Sequence, residues 1–293
     1  MEVNSLIFQI EHPLVKEAYT NIDNYKVIYK EGDHVEKDLC AIYFSSNELY
    51  YPNTELAFTH SILQKDKFEW QNNLYPRAHK HILLRDIQKQ WYVEGINAQY
   101  SSPEKLTELL LELTKNYKVY VIGSSAGGFA ALLFGNLINA KRVYSFNAQL
   151  DLNVTLQKSD SILDPLLYKH LNNPTLSKYY TVGSFLQQHV ECFYFQSAKS
   201  VMDIEQFEAC SNRNALTKIE FSTSNHGFPF LRHDLSYILQ LSSDQLKKLS
   251  KKRVHPFLLS AKVHGPLQAT LLTLSAIRKR ISKKLTEKSH SAK

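Results

Sequence analysis

The stretch Gly123-Ser124-Ser125-Ala126-Gly127 sets a serine between two glycines at Gly-x-Ser-x-Gly spacing, after an apolar run and before an Ala/Leu/Phe-rich one. A serine hydroxyl can attack an acyl carbon when a strained turn lifts it clear of its neighbours and a base takes its proton. Small residues two positions away on either side make room for such a turn, and a helix starting just after it would aim free N–H groups at a developing oxyanion. Ser125 is the central serine and the expected nucleophile; Ser124 is expected only to pack or hydrogen-bond locally. The alternative is a glycine-rich strand-to-helix turn without chemistry. A phosphate loop fits poorly, since neither a Gly-Lys-Ser/Thr ending nor a Gly-x-Gly-x-x-Gly register is present.

The base should be a histidine downstream. Of the 12 histidines, His226 stands in a polar turn, Ser224-Asn225-His226-Gly227, just after an apolar strand-like run. His170 and His189 fall in a connecting region, and His233 in the segment that follows. A carboxylate must then orient the imidazole and stabilise its charged form.

These residues need elements to position them. Val27–Tyr29, Leu39–Phe44, His81–Leu84, Lys118–Ile122, Arg142–Asn147, Val190–Gln196 and Ile219–Ser222 read as short strands, several of them continuous apolar runs suited to a buried parallel sheet. Pro103–Asn116 reads as a helix, with Ser102 and Pro103 as its start signal, and Gly127–Leu137 as another. Helical pieces are expected at Ile162–Leu171, Val182–Gln188 and Glu205–Cys210. The alternation gives an α/β chain with a mostly parallel central sheet and helices on both faces. Residues 1–243 form the expected domain, 152–188 a cap or insert over the site, and 244–293 a basic helical C-terminal tail.

At Gly123–Gly128, and onward through Ala130–Gly135 and Val143–Gln149, the chain resembles the α/β-hydrolase superfamily. It is also similar to a looser set of bacterial hydrolase-like proteins found with surface-polysaccharide and glycosyltransferase genes, through Arg85-Asp86, Trp91-Tyr92-Val93-Glu94-Gly95-Ile96 and the His226-Gly227 turn. The resemblance spans Leu39 to Leu235. It implies an acid after the penultimate strand, where Asp203 is the first choice and Glu205 its substitute; Asp151, after the preceding strand, is the competitor. It also implies an oxyanion hole made by Ala126 N–H and a second N–H from Ser46 or Asn47, a loop that could equally be an ordinary polar turn. The implied activity is a serine carboxylesterase or deacylase working through an acyl-enzyme on an acylated saccharide or small ester. An acyltransferase with the same three residues, or a non-catalytic partner in polysaccharide assembly, are the alternatives. No His-Gly-Gly-Gly segment is present, which sets the chain apart from the lipase and hormone-sensitive groups.

Composition narrows the setting. At 293 residues with 43% hydrophobic content, the chain can bury a sizeable core. Cys40, Cys192 and Cys210 are too few and too scattered for a disulfide framework. No His or Asp pair has metal-ligand spacing, so neither a metal nor another cofactor is expected. The N-terminus has no secretory pattern and no apolar run is long enough to span a bilayer, which points to the cytoplasm. From Lys247 onward the only acid is Glu287 against thirteen lysines and arginines, so the net charge of +7 belongs to the tail and the body is mildly acidic. Leu267, Leu271, Leu274, Ile277, Ile281 and Leu285 recur there at helical spacing. Such a basic amphipathic helix suits an anionic membrane face, the inner one, or a protein partner; the alternative is packing on the body with a solvated basic face. Nucleic acid is not expected, because the basic residues lack a binding motif and interleaved aromatics.

Overall fold

The computed structural model describes residues 8–275 and Arg278. Its centre is a seven-stranded sheet whose strands lie in the order β1-β3-β2-β4-β5-β6-β7. They are β1 Tyr25–Tyr29, β2 Glu36–Phe44, β3 Ala78–Leu84, β4 Lys118–Ser124, β5 Arg142–Phe146, β6 Glu191–Ser197 and β7 Leu216–Phe221. Only β1 runs antiparallel to its neighbour; every other pairing is parallel. The central strands are apolar throughout because both of their faces are covered. Along β2, Cys40, Ile42 and Phe44 join one core cluster, and Leu39, Ala41 and Tyr43 join another. That is the period-2 alternation of a strand sandwiched between two layers.

Strand β2 lies between β3 and β4, so the connections leaving its two sides diverge at its C-terminal end. A crevice opens at such a point in an open parallel sheet. Registers bring the ends together: Phe44 pairs with Gly123, and Ser124 with Phe146. The helix Ala126–Leu137 starts there and is buried from Ala126 through Asn136, which explains its lack of a polar face. The helix Pro103–Leu113 begins where the sequence signals it, with the Ser102 side chain accepting from Lys105 N–H.

Three expectations change. Residues 182–188 contain no helix; the chain there runs as turns, with Val182 and Leu186 pinned into the core. The helix expected from Glu205 begins at Val201, capped by Ser200, so Asp203 lies within its first turn. The chain also does not part from the body at 243/244. Helix Ser243–Leu249 buries Leu246, helix Pro256–His264 buries Leu259, and Val254 bridges to Phe221 at the edge of the sheet, all within one core cluster. A helix then runs from 266 through 275, burying Ala269 but exposing Leu267, Leu271 and Leu274. Residues 276, 277 and those from 279 onward in the expected tail, Ile277, Ile281 and Leu285 among them, lie outside the described residues. Among the described residues, no helix is long and apolar enough to cross a membrane.

One core group makes the fold sensitive to acid. His81 is buried on β3, where its Nδ1 meets the Tyr43 hydroxyl at 3.0 Å and its Nε2 has no partner among the described residues. Burial lowers its pKa from 6.5 to about 4. The unfolded chain therefore binds the extra proton first, and the stabilisation is complete above pH 6.5 and lost as pH falls towards 4. Because buried Asp86 shifts in the opposite sense over the same range, the His81 contribution is read as the difference between the wild-type and His81→Gln profiles, and it should fall across that window by on the order of 3 kcal/mol. Urea unfolding of both chains as a function of pH checks it.

Candidate active site

The turn that carries Ser125 is dictated by crowding. A Cβ on Gly123 would stand 1.9 Å from Gly127 O, and a Cβ on Gly127 would stand 2.2 Å from Phe44 O. With hydrogens at both places, the chain passes from β4 into the helix within one residue. Ser125 takes φ 53° and ψ −123°, a region that costs a non-glycine residue about 1–3 kcal/mol. Its N–H donates to Phe146 O at 2.9 Å, tying the turn to the end of β5. Ser125 is then the residue before the first helical turn, and its side chain, free of any capping bond, is available to other partners.

That partner is His226. Ser125 Oγ lies 2.8 Å from His226 Nε2, and His226 Nδ1 lies 2.8 Å from Asp203 Oδ1. Three chain segments, from the ends of β4, β6 and β7, thus contribute one continuous hydrogen-bonded line. Asp203 is 1% exposed, whereas His226 is partly open to solvent. Asp203 Oδ2 has no hydrogen-bond partner among the described residues. The two competing acids are engaged elsewhere. Asp151 caps the helix Leu152–Leu156 by accepting from Asn153 N–H at 2.9 Å, and Glu205 forms a surface ion pair with Lys158.

The loop holding His226 is clamped by a residue that strand reading passes over. Asn147, buried just beyond β5 at φ 43°, offers its side-chain amide to Ser197 Oγ at 2.8 Å, Asn225 O at 3.1 Å and Gly227 O at 3.1 Å. Its Oδ1 accepts Ser197 N–H, and Ser197 Oγ donates to Asn225 O. The backbone on both sides of the imidazole is therefore gripped from the ends of β5 and β6. Gln149 is a second residue the sequence did not flag. Its Nε2 lies 3.5 Å from Ser125 Oγ, while its Oε1 accepts from Trp91 Nε1 at 3.2 Å.

The expected oxyanion donors separate. Ala126 is buried at the first helical position beside Ser125. Ser46 N–H already donates to Glu69 Oε2 at 2.6 Å, so in this arrangement it is not free for a substrate oxygen. Asn47 lines the same cavity, and no acceptor for its N–H is found among the described residues. Burial pushes the Glu69 carboxyl above its ordinary range, against the downward pull of the Ser46 hydrogen bonds and of Arg232.

Asp86 and Tyr92 brace this loop from behind, while Arg85 is engaged with Asn24, Lys67 and Asp66 and Trp91 with Gln149. Asp86 accepts four backbone N–H groups, from Gln88, Lys89, Gln90 and Tyr92. Burial still pushes its carboxyl up to about 6. The turn it pins brings the Tyr92 hydroxyl to Ser45 O at 2.9 Å.

A cavity of about 620 Å³ opens over Ser125, walled by Ser46, Asn47, Glu48 and Glu69 on one side and by Asn225 through Phe228 and Phe230 through His233 on the other. Thr273, from the helix that follows Gly265, completes the wall. No residue of 152–188 lines it. The expected cap is instead packed on the face of the sheet that holds the elbow helix, through Leu152, Leu167 and Tyr180. The approach to Ser125 is thus polar, with aromatic surface from Phe228 and Phe230.

The Asn147 clamp has a measurable consequence. Asn147→Ala strips partners from Ser197 N–H and from two loop carbonyls, which should lower stability by about 1–3 kcal/mol. Urea unfolding of the variant beside the parent chain gives the value.

No family model matches the chain, and no match is found among curated proteins. Solved structures do match. The capsule O-acetyltransferase of Neisseria meningitidis serogroup A superposes with a TM-score of 0.50 at 17% identity, covering 75% of this chain and 93% of that one. Acetyl xylan esterase 1 from Thermoanaerobacterium sp. gives a TM-score of 0.44 at 10% identity, covering 77% and 78% respectively. Brefeldin A esterase, a bacterial homologue of human hormone sensitive lipase, gives 0.40 at 12%, covering 84% of each chain. At 17% identity the first of these likenesses bears on architecture alone, and the chain's own sheet order and elbow are those of an α/β-hydrolase fold.

Proposed function

We propose that this chain is a serine hydrolase that cleaves ester bonds through an acyl-enzyme, on an acylated saccharide or similarly polar small ester. The observation that carries the reading is the unbroken line from Ser125 Oγ to His226 to Asp203, set on a strained turn at the floor of an open cavity. Ser125 Oγ bonds to the acyl carbon as its proton passes to His226 Nε2. The carbonyl oxygen becomes an oxyanion beside Ala126 N–H and Asn47 N–H. When the ester C–O bond breaks, the departing alkoxide takes the proton back from His226 and leaves as an alcohol. Water, deprotonated by the same imidazole, then attacks the acyl carbon and releases Ser125 and the acid. Asp203 holds the ring so that Nε2 faces the serine, and it stabilises the transient imidazolium.

The walls of the cavity support this substrate class. Glu48, Glu69, Asn47, Asn225 and Arg232 offer carboxylate, amide and guanidinium groups to hydroxyls, while Phe228 and Phe230 offer flat apolar faces. A long acyl chain would desolvate these polar groups without replacing their hydrogen bonds. The same walls leave room for a second hydroxylated molecule beside the acyl-enzyme, so transfer to a sugar hydroxyl in place of water is the second reading.

Purified chain should be labelled by a fluorophosphonate probe, with labelling lost in Ser125→Ala and reduced at least ~10³-fold in rate in His226→Ala. Absence of labelling in folded wild type would overturn the proposal. Product analysis with and without a sugar acceptor then separates hydrolysis from transfer.

The exposed stripe of Leu267, Leu271 and Leu274 (76%, 54% and 57% exposed) is followed in sequence by Arg278, Lys279, Arg280, Lys283 and Lys284. Apolar side chains beside a run of cations suit the anionic face of a bilayer. Sedimentation with phosphatidylserine-containing vesicles should exceed that with pure phosphatidylcholine and fall with salt; Leu271→Glu should weaken it. Equal sedimentation with both vesicles would refute the membrane role.

A further inference from the structure

A second cluster of chemistry-bearing side chains lies outside the Ser125 line. His233 and Asp234 occupy a single short turn, Arg232–Asp234, seven and eight residues beyond His226. His264 closes the helix Pro256–His264, thirty residues further along the chain. Asp234 Oδ1 lies 2.9 Å from His264 Nε2 and 3.7 Å from His233 Nε2. One ligand atom from each of the three residues falls within 4.8 Å of the others. The two imidazole rings meet edge to face at 5.3 Å. Asp234 is fully buried, and its Oδ2 has no hydrogen-bond partner among the described residues.

A fully buried carboxylate with one unpartnered oxygen is costly unless a cation sits against it. We infer that His233, Asp234 and His264 form a binding site for one divalent cation of the zinc class, holding the C-terminal helices to the segment that carries His226. Two imidazole nitrogens and a carboxylate oxygen are donors that zinc accepts together. Donors at about 2.0–2.2 Å around a tetrahedral zinc stand roughly 3.3–3.5 Å from one another. The two carboxylate–imidazole contacts, at 2.9 and 3.7 Å, bracket that spacing, and the two imidazole nitrogens lie within 4.8 Å of each other and would have to close onto the ion. A water molecule would take the fourth position, and Ser260 Oγ, buried and 2.7 Å from His233 Nε2, gives up that contact when the nitrogen takes the ion. On binding, the Nε2 proton that faces the Asp234 carboxylate is displaced, so that each ring offers its Nε2 lone pair and carries a single proton on Nδ1, any surplus proton passing to solvent. The histidines remain partly open to solvent, which gives the ion a way in.

The site joins two walls of the same cavity. His233 lines it directly, and Thr273 lines it from the helix beginning just beyond His264. A bound ion would therefore fix the cavity's shape without touching Ser125. Its role is structural, and it does not depend on the proposed hydrolase activity.

The test uses the untagged full chain, stripped with chelator and then exposed to Zn²⁺ or Co²⁺. After gel filtration we expect one equivalent of zinc by elemental analysis, a higher Tm with zinc than without, and visible ligand-field absorption from the cobalt form. All three should be lost in His264→Ala and in Asp234→Asn, with folding of each verified by circular dichroism. They should persist in Ser125→Ala and in His189→Ala, so failure here is distinguishable from failure of the hydrolase reading. Binding well below one equivalent in the wild type overturns the inference. So does binding that survives in His264→Ala, which would put the metal elsewhere.

Discussion

At Gly123 and Gly127 a backbone carbonyl occupies the space where any other residue would place its Cβ, at 1.9 and 2.2 Å. Those two close approaches let β4, paired beside β2, become a helix within a single residue, with Gly127 against the end of β2. Ser125 is forced into its strained backbone because no other path joins the two elements. The strain persists because it is over-determined on several sides. Ser125 N–H is tied to Phe146 O, Gly123 is paired with Phe44, and the helix beyond is buried on every face. The position of the Ser125 hydroxyl is therefore a property of the sheet rather than of a loop.

The imidazole is placed differently, and the contrast is instructive. His226 sits in a turn that has no regular structure and is anchored by side chains from other strands. Asn147 and Ser197, at the ends of β5 and β6, hold Asn225 O and Gly227 O, while Asp203 fixes the ring itself. Buried amide and hydroxyl groups can do this because each is nearly saturated with partners. One amide thus couples the ends of three neighbouring strands, and the distance of 2.8 Å between Ser125 and His226 rests on a network rather than on a single contact.

Local pattern made the sheet and the elbow legible. Continuous apolar runs marked the buried parallel strands, and the paired glycines between a strand and a helix marked the turn. The position of His226 after the last strand was readable for the same reason. What escaped was set by contacts between residues far apart in sequence. Asn147 reads as the end of a strand, and nothing local shows that it reaches a loop some eighty residues away. Residues 244–264 read as a tail because their charge is basic. Their few apolar residues, Leu246, Val254 and Leu259, complete a core cluster that only the folded sheet reveals. The stretch 152–188 reads as a cap because it is polar and interrupted, yet Leu152, Leu167 and Tyr180 bind it to one face of the sheet. His264 stands thirty residues from its partner Asp234, so no spacing rule could pair them.

Glu69 shows how the loop after β2 can be both rigid and available. Ser46 N–H is held by the Glu69 carboxylate at 2.6 Å, while Asn47, next to it on the cavity wall, has no acceptor for its N–H among the described residues. Trp70, next in sequence to Glu69, donates its indole N–H to Phe44 O at 2.9 Å, and the Tyr92 hydroxyl donates to Ser45 O. Three successive backbone groups of this loop are thereby fixed by side chains from two other segments. Such anchoring removes the reorganisation that a flexible donor would undergo as charge develops on an oxygen beside it. The carboxylate that secures the loop also faces Arg232 across the cavity, so the group that orders the loop also helps to set the polarity of that space.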